Sequence, residues 1–235
     1  PYVPGKPIQH VAREYGLTDI IKLASNESPI GCSQKVLEFL HGQVSGLYLY
    51  PDGDALELKQ ALADKYAVEC KQIALGNGSN ELLELLARIF AGVGREVIYS
   101  QYAFAIYALV TQSVNAKAVE VPACAWGHDL HAMAEAINAN TRLIFIANPN
   151  NPTGTWLTRA ALEDFLQRVP RHVVVVLDEA YNEYVNDPDF PNALELLPRY
   201  PQLLLTRTFS KVYGLAGLRI GYGIAAPSRR PSWAS

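Results

Sequence analysis

The chain has 235 residues, enough for one large domain or one domain and a fragment at roughly 150 residues each. Lys and Arg number 20 against 23 Asp and Glu, so the formal net charge is −3, without the basic excess of a general nucleic-acid binder. Apolar residues make up 49% and charged residues 18%, which excludes intrinsic disorder, provides for a sizeable core and leaves few charges for a fully solvated surface, pointing to further burial in an interface.

In chain order, residues 1–42 read as extended, Pro-rich pieces followed by a helix near 34–41, and 54–66 as an amphipathic helix. A regular alternation then begins. Short β-branched runs at 73–75, 96–99, 118–121, 143–147, 173–177 and 203–208 are strands, and segments of helical period at 80–91, 105–115, 130–138 and 158–169 lie between most of them. Strands alternating with helices predict an α/β fold: a mostly parallel sheet of seven strands with helices on both faces. Run 173–177 lacks polar alternation, as a central strand should. The seventh run, 219–225, follows the sixth too closely for a parallel crossover and is predicted antiparallel. Residues 226–235 are rich in Pro, Ser and Arg and read as a tail.

Cys32, Cys70 and Cys124 are scattered and odd in number, which fits a reducing cytoplasm better than a disulfide scaffold. The longest apolar runs fall far short of the roughly 18 residues of a membrane helix, and no signal peptide is visible in a chain that starts at Pro1. Cys124, His128 and His131 have no second cluster to complete four ligands, so no metal is expected. His10, His41 and His172 read as surface or capping residues, and Lys65, Lys71 and Arg88 as solvated helix faces.

Chemistry gathers at the strand ends, where ligands bind in open α/β sheets. Strand 173–177 runs into Asp178, Glu179, Ala180 and Tyr181. Strand 203–208 runs into Ser210 and Lys211, and Arg219 follows in an apolar, Gly-rich setting where a guanidinium needs an anion. The end of 143–147 carries the turn 148–154, with Asn151 between two prolines. Gly76, Gly78, Ser79 and Asn80 open a helix, where backbone N–H groups receive phosphate. Each feature alone has a bland reading: a cap, a surface lysine, a turn, a helix start. Together they suit one small molecule, pyridoxal 5′-phosphate (PLP), whose aldehyde needs a lysine, whose ring nitrogen needs an aspartate and whose phosphate needs an anion site.

The order Asn-Pro-x-Asn-Pro-Thr-Gly (148–154), Asp-Glu-Ala-Tyr (178–181) and Ser-Lys-x-x-Gly-Leu-Ala-Gly-Leu-Arg-x-Gly-Tyr (210–222) resembles the class I/II PLP-dependent aminotransferases of fold type I. Segments 1–7, 24–31, 50–53 and 100–107 narrow the resemblance to the histidinol-phosphate aminotransferases. It implies transamination of histidinol phosphate with 2-oxoglutarate in histidine biosynthesis. A related PLP enzyme (an aromatic aminotransferase or a threonine-phosphate decarboxylase) and a non-catalytic PLP-binding fragment stay open. By the resemblance, Lys211 binds the cofactor aldehyde and moves a proton, Asp178 pairs with the ring nitrogen, and Asn151 and Tyr181 bond the ring oxygen. Phe104 stacks on the ring. Ser79, Asn80, Thr208, Ser210 and Arg219 hold the phosphate. Tyr50 reaches the phosphate of a neighbouring subunit in a homodimer with a shared site, and Tyr2 and Asn26 line the substrate pocket. The implied organisation is an N-terminal arm and part of a small domain at 1–42, a large PLP-binding domain at 43–226, and a tail at 227–235 where the family continues into a C-terminal domain, leaving the small domain incomplete.

Overall fold

The structure, a computed structural model, describes residues 5–227. Seven strands form one sheet: β1 (Ile73–Asn77), β2 (Glu96–Ser100), β3 (Lys117–Val121), β4 (Thr141–Ala147), β5 (Val174–Asp178), β6 (Leu203–Thr208) and β7 (Ile220–Ala225). Their order is β1-β7-β6-β5-β4-β2-β3, with β5 in the middle. The pairs β2–β3, β2–β4, β4–β5 and β5–β6 are parallel, while β7 runs antiparallel to both β6 and β1. The mostly parallel sheet with its one reversed strand agrees with the sequence. The short link from Thr208 to Ile220 cannot carry a parallel crossover, so the chain doubles back.

Seven α-helices accompany the strands among the described residues: α1 (Ile8–Tyr15), α2 (Gln34–Gln43), α3 (Leu56–Tyr66), α4 (Ser79–Phe90), α5 (Ile106–Ser113), α6 (Leu130–Glu135) and α7 (Arg159–Arg168). Each sheet face has its own core. On one, Leu62 of α3, Met133 of α6, and Leu162 and Phe165 of α7 pack on Ile144, Val175, Leu177 and Leu205. On the other, Leu83 and Leu86 of α4 and Tyr107 and Val110 of α5 pack on Val97, Phe145, Val176 and Leu204. Covered on both sides, β5 is buried along its whole length. Each such aliphatic side chain contributes about 1.5–3 kcal/mol of transfer free energy, which is why β5 needs no polar alternation.

The reading of the N-terminal region needs one correction. The sequence was expected to be extended up to a helix near 34–41, yet α1 occupies Ile8–Tyr15. Ile8, Val11, Ala12 and Tyr15 recur at helical spacing between Pro7 and Gly16, which bound the helix. The helix has no buried residue, and neither does any other described position before Leu62.

Candidate active site

The carboxyl ends of β1, β4, β5 and β6 and the start of β7 surround a cleft of about 690 Å³. Asp178, the last residue of β5, is buried at its base. Tyr107 Oη donates to Asp178 Oδ2 at 2.9 Å, Thr206 Oγ1 donates to Oδ1 at 3.2 Å, and the Ala180 backbone N–H donates to the same carboxylate. Burial raises the Asp178 pKa above the ordinary carboxylate value; the three donors and the charge of Lys211 pull the other way. Tyr107 is held as a donor, because burial and the adjacent carboxylate push its own pKa well up. Its ring stacks on Phe145 with centroids 4.8 Å apart and meets Phe104 edge-on at 5.9 Å.

Lys211 enters the cleft from the turn after β6. Its Nζ donates to the carbonyls of Ser25 at 3.1 Å and Asn26 at 3.4 Å, and lies 5.4 Å from the centroid of the Tyr181 ring. Asn26 Nδ2 in turn donates to Tyr181 Oη at 2.9 Å. Residues of the N-terminal arm thus meet the lysine and the tyrosine within one cleft. Thr208 and Ser210 share a hydrogen bond of 3.0 Å between their hydroxyls, and Thr208 Oγ1 also accepts from the Ser210 N–H at 3.1 Å, which fixes the turn that carries Lys211.

Opposite lies the start of α4. Its N-cap is Gly78, which has no side chain with which to cap the helix, so Ser79 and Asn80 present the first turn to the cleft. Gly78 has φ +74°, and a Cβ there would run into Arg219 Nη2. The Gly78 N–H donates to the Arg219 carbonyl at 2.8 Å, so guanidinium and helix start are held side by side. A helix N-terminus, two hydroxyls and a guanidinium form a cradle for a phosphate dianion.

The loop after β4 is pinned by its own asparagines. Asn148 Oδ1 accepts from the Leu157 N–H at 2.8 Å, and Asn150 Nδ2 donates to the Tyr102 carbonyl at 2.9 Å and to Thr153 Oγ1 at 2.7 Å. Asn151, between them and Pro152, is left to line the cleft.

Of the candidate residues, Asn26, Ser79, Asn80, Phe104, Asn151, Asp178, Tyr181, Thr208, Ser210, Lys211 and Arg219 all line this one cleft. Tyr50 does not: its side chain is 101% exposed on the protein surface. Tyr2 lies outside the described residues. Tyr107 is a further cleft-side residue that the sequence reading did not single out. The available signal was its place in the first turn of the helix that follows Phe104. His128 is used structurally, with Nε2 2.8 Å from the Ala147 carbonyl, and Lys65 is more than a solvated cation, because its Nζ donates to Tyr213 Oη at 3.1 Å.

The profile of the class I and II aminotransferases matches residues 18–233. The chain belongs to the class I and II aminotransferase family. Similar proteins include the histidinol-phosphate aminotransferase 2 of Pseudomonas fluorescens, 56% identical over 229 residues covering 97% of this chain and 62% of that protein. That of Hydrogenovibrio crunogenus is 58% identical over 224 residues, 95% of this chain and 60% of that one. The chain therefore spans about three-fifths of the length of these relatives. The crystal structure of histidinol-phosphate aminotransferase from Sinorhizobium meliloti in complex with pyridoxal 5′-phosphate superposes with a TM-score of 0.90 at 30% identity, over 98% of this chain and 63% of that chain. The aminotransferase fold is that of the expected fold type I.

Proposed function

We propose that this aminotransferase chain binds PLP and transfers the amino group of histidinol phosphate to 2-oxoglutarate. The observation that carries this reading is the pair Asp178 and Lys211 at neighbouring strand ends, facing one cleft whose far side is the Ser79–Arg219 cradle. The identities of 56% and 58% to histidinol-phosphate aminotransferases favour this substrate over the decarboxylase and aromatic alternatives.

When bound, PLP supplies an aldehyde that takes up amino groups and a ring that draws electrons from the substrate Cα. Lys211 Nζ is the amine that anchors the aldehyde and then carries a proton to and from the reacting carbon. Asp178, oriented by its three donors, is the group that would hold the proton on the ring nitrogen. Tyr181 and Asn151 orient the ring oxygen, and Phe104 covers one ring face. Ser79, Asn80, Thr208, Ser210 and Arg219 bind the phosphate, with Arg219 fixed beside the helix start. Asn26 lines the cleft, where it would meet the amino substrate.

The same proposal assigns residues 1–42 to an arm and part of a small domain, and 43–226 to the PLP-binding domain. It makes the protein a homodimer, with Tyr50 reaching the partner's phosphate site. The consecutive exposed side chains Leu47, Tyr48, Leu49 and Tyr50 support that arrangement. Free cysteines at 32, 70 and 124 fit a cytoplasmic setting.

The test is a stoichiometric amino transfer. The PLP-loaded protein is given histidinol phosphate carrying ¹⁵N in its amino group, and the cofactor is analysed by mass. Label in the cofactor amine, passed on to glutamate when 2-oxoglutarate is added, is the expected result. Carbon dioxide release from O-phosphothreonine with no label transfer from histidinol phosphate would replace this reading with the decarboxylase.

A further inference from the structure

The ends of β5 and β6 carry a second constellation, on the sheet face opposite the cleft. Successive strand residues point to opposite faces. Asp178 lines the cleft with Thr206 on its side of the sheet, and Glu179 and Arg207 lie on the other side. Arg207 Nε donates to Glu179 Oε2 at 2.8 Å, with the two side chains only 7% and 1% exposed. The guanidinium lies 4.9 Å from the centroid of the Tyr66 ring, at the end of α3, and Tyr66 Oη meets Tyr222 Oη of β7 at 2.6 Å. The same cluster reaches the segment around Lys211. Phe209 packs on Tyr222 at 5.4 Å and on Tyr213 at 5.3 Å, and Tyr213 accepts the Lys65 hydrogen bond.

The place of the ion pair in the sheet is informative. The β5–β6 register ends at Asp178 opposite Thr206, closed by the Glu179 N–H bonded to the Thr206 carbonyl at 2.8 Å. Beyond it the strands part: β6 continues against β7, while the chain after β5 turns off towards Tyr181. Glu179 and Arg207 are the next residues on each side. Their ion pair joins the two strands one step past the backbone ladder, between the strand that ends in Asp178 and the turn that carries Lys211. Stability alone is a weak reason to bury two charges, because apolar side chains of equal volume often serve as well.

We propose that Glu179 and Arg207 are positioning residues: their ion pair fixes the separation of the Asp178 carboxylate and the Lys211 amine without touching cofactor or substrate. This rests on the proposed PLP site. Apolar replacement then restores packing but not placement.

The experiment compares the wild-type protein with Arg207→Lys, Glu179→Gln and the double variant Glu179→Leu/Arg207→Met. Each is measured by thermal unfolding, by PLP titration, and by pH titration of the visible absorbance of bound PLP. The double variant is expected to keep a Tm close to wild type, while PLP affinity falls on the order of 10–100-fold, the scale of a misplaced reactive group. The absorbance midpoint is expected to move by about one pH unit or more, the response to a changed charge distance. Arg207→Lys keeps the charge and loses the fork, so it shifts the midpoint the same way and remains informative if the double variant does not fold. Glu179→Gln lowers Tm as well. Folded variants with wild-type affinity and midpoint would reduce the pair to a structural contact and overturn the inference. A wild-type protein that takes up no PLP would instead overturn the reading of the site, and this inference with it.

Discussion

Tyr107 contributes one of three hydrogen bonds to Asp178 from a hydroxyl that has no access to water. Since burial alone would raise the Asp178 pKa and each donor opposes it, loss of a donor moves it further up. Tyr107→Phe keeps the ring stacked on Phe145 and removes only the hydroxyl. The acid limb of PLP binding is expected to move to higher pH in this variant, because Asp178 takes a proton sooner and releases the ring nitrogen. The removed bond is worth about 1–3 kcal/mol to a buried charged acceptor. A PLP-affinity profile from pH 5 to 8 that coincides with wild type would remove Tyr107 from the site. Asp178 and Lys211 were legible because one ends a strand, the other follows a strand end, and both sit in dense motifs. Tyr107 was not, since packing explains an aromatic ring in the first turn of a predicted helix equally well. What the hydroxyl does depends on Asp178, 71 residues away in sequence.

Among the elements, α4 and β7 come into backbone contact. Gly221 lies in β7 directly behind the α4 start, and a Cβ there would strike the Ser79 nitrogen and the Gly78 carbonyl carbon. Backbone atoms cannot swing aside as a side-chain tip does. Gly221→Ala is therefore expected to cost about 2 kcal/mol or more, towards the upper end of overpacking, and to weaken PLP binding because the phosphate cradle shifts. A calorimetric Tm and PLP affinity both equal to wild type would contradict the jammed contact.

A different control applies at the opposite ends of the strands. Glu96 of β2 accepts from Lys117 Nζ at 2.8 Å and from Asn138 Nδ2 at 2.6 Å, and these bonds, the lysine's first, hold its carboxyl below the ordinary value. A depressed carboxyl stabilises the fold above its unfolded pKa, about 4.3, and loses that contribution as pH falls through the folded value. Glu96→Gln should cost about 1 kcal/mol at pH 7, less at high salt because Lys117 is exposed, and nothing once the wild-type carboxyl is protonated. An equal deficit at neutral and strongly acid pH would show that the charge is not what matters. The seven strands and the reversed β7 were readable in the sequence because their apolar runs are bounded by turns. Helix α1 escaped because eight residues between Pro-rich stretches give little more than two turns of periodicity, and nothing buries them.

Across the whole molecule, burial is uneven. The sheet and its helices hold two cores, while the described residues before Leu62 bury nothing and expose Ile21, Leu23, Ile30 and Phe39 along with the run from Leu47 to Tyr50. A surface of that kind is expected to be covered in the assembled protein. Under the proposed homodimer, Leu47→Asp/Leu49→Asp should raise the dimer dissociation constant at least about tenfold, since each buried leucine is worth about 1.5–3 kcal/mol. Sedimentation equilibrium measures it, and an unchanged constant would move the interface elsewhere.

On the proposed reading, Lys211 anchors PLP in the cleft between Asp178 and the Ser79–Arg219 cradle. The most direct measurement is borohydride reduction of the PLP-treated protein followed by peptide mass mapping, on wild type and on Lys211→Ala. One added phosphopyridoxyl group per chain, on Lys211, is expected in the wild type, and none in the variant. A label on another lysine, or a label retained in full by Lys211→Ala, would contradict it.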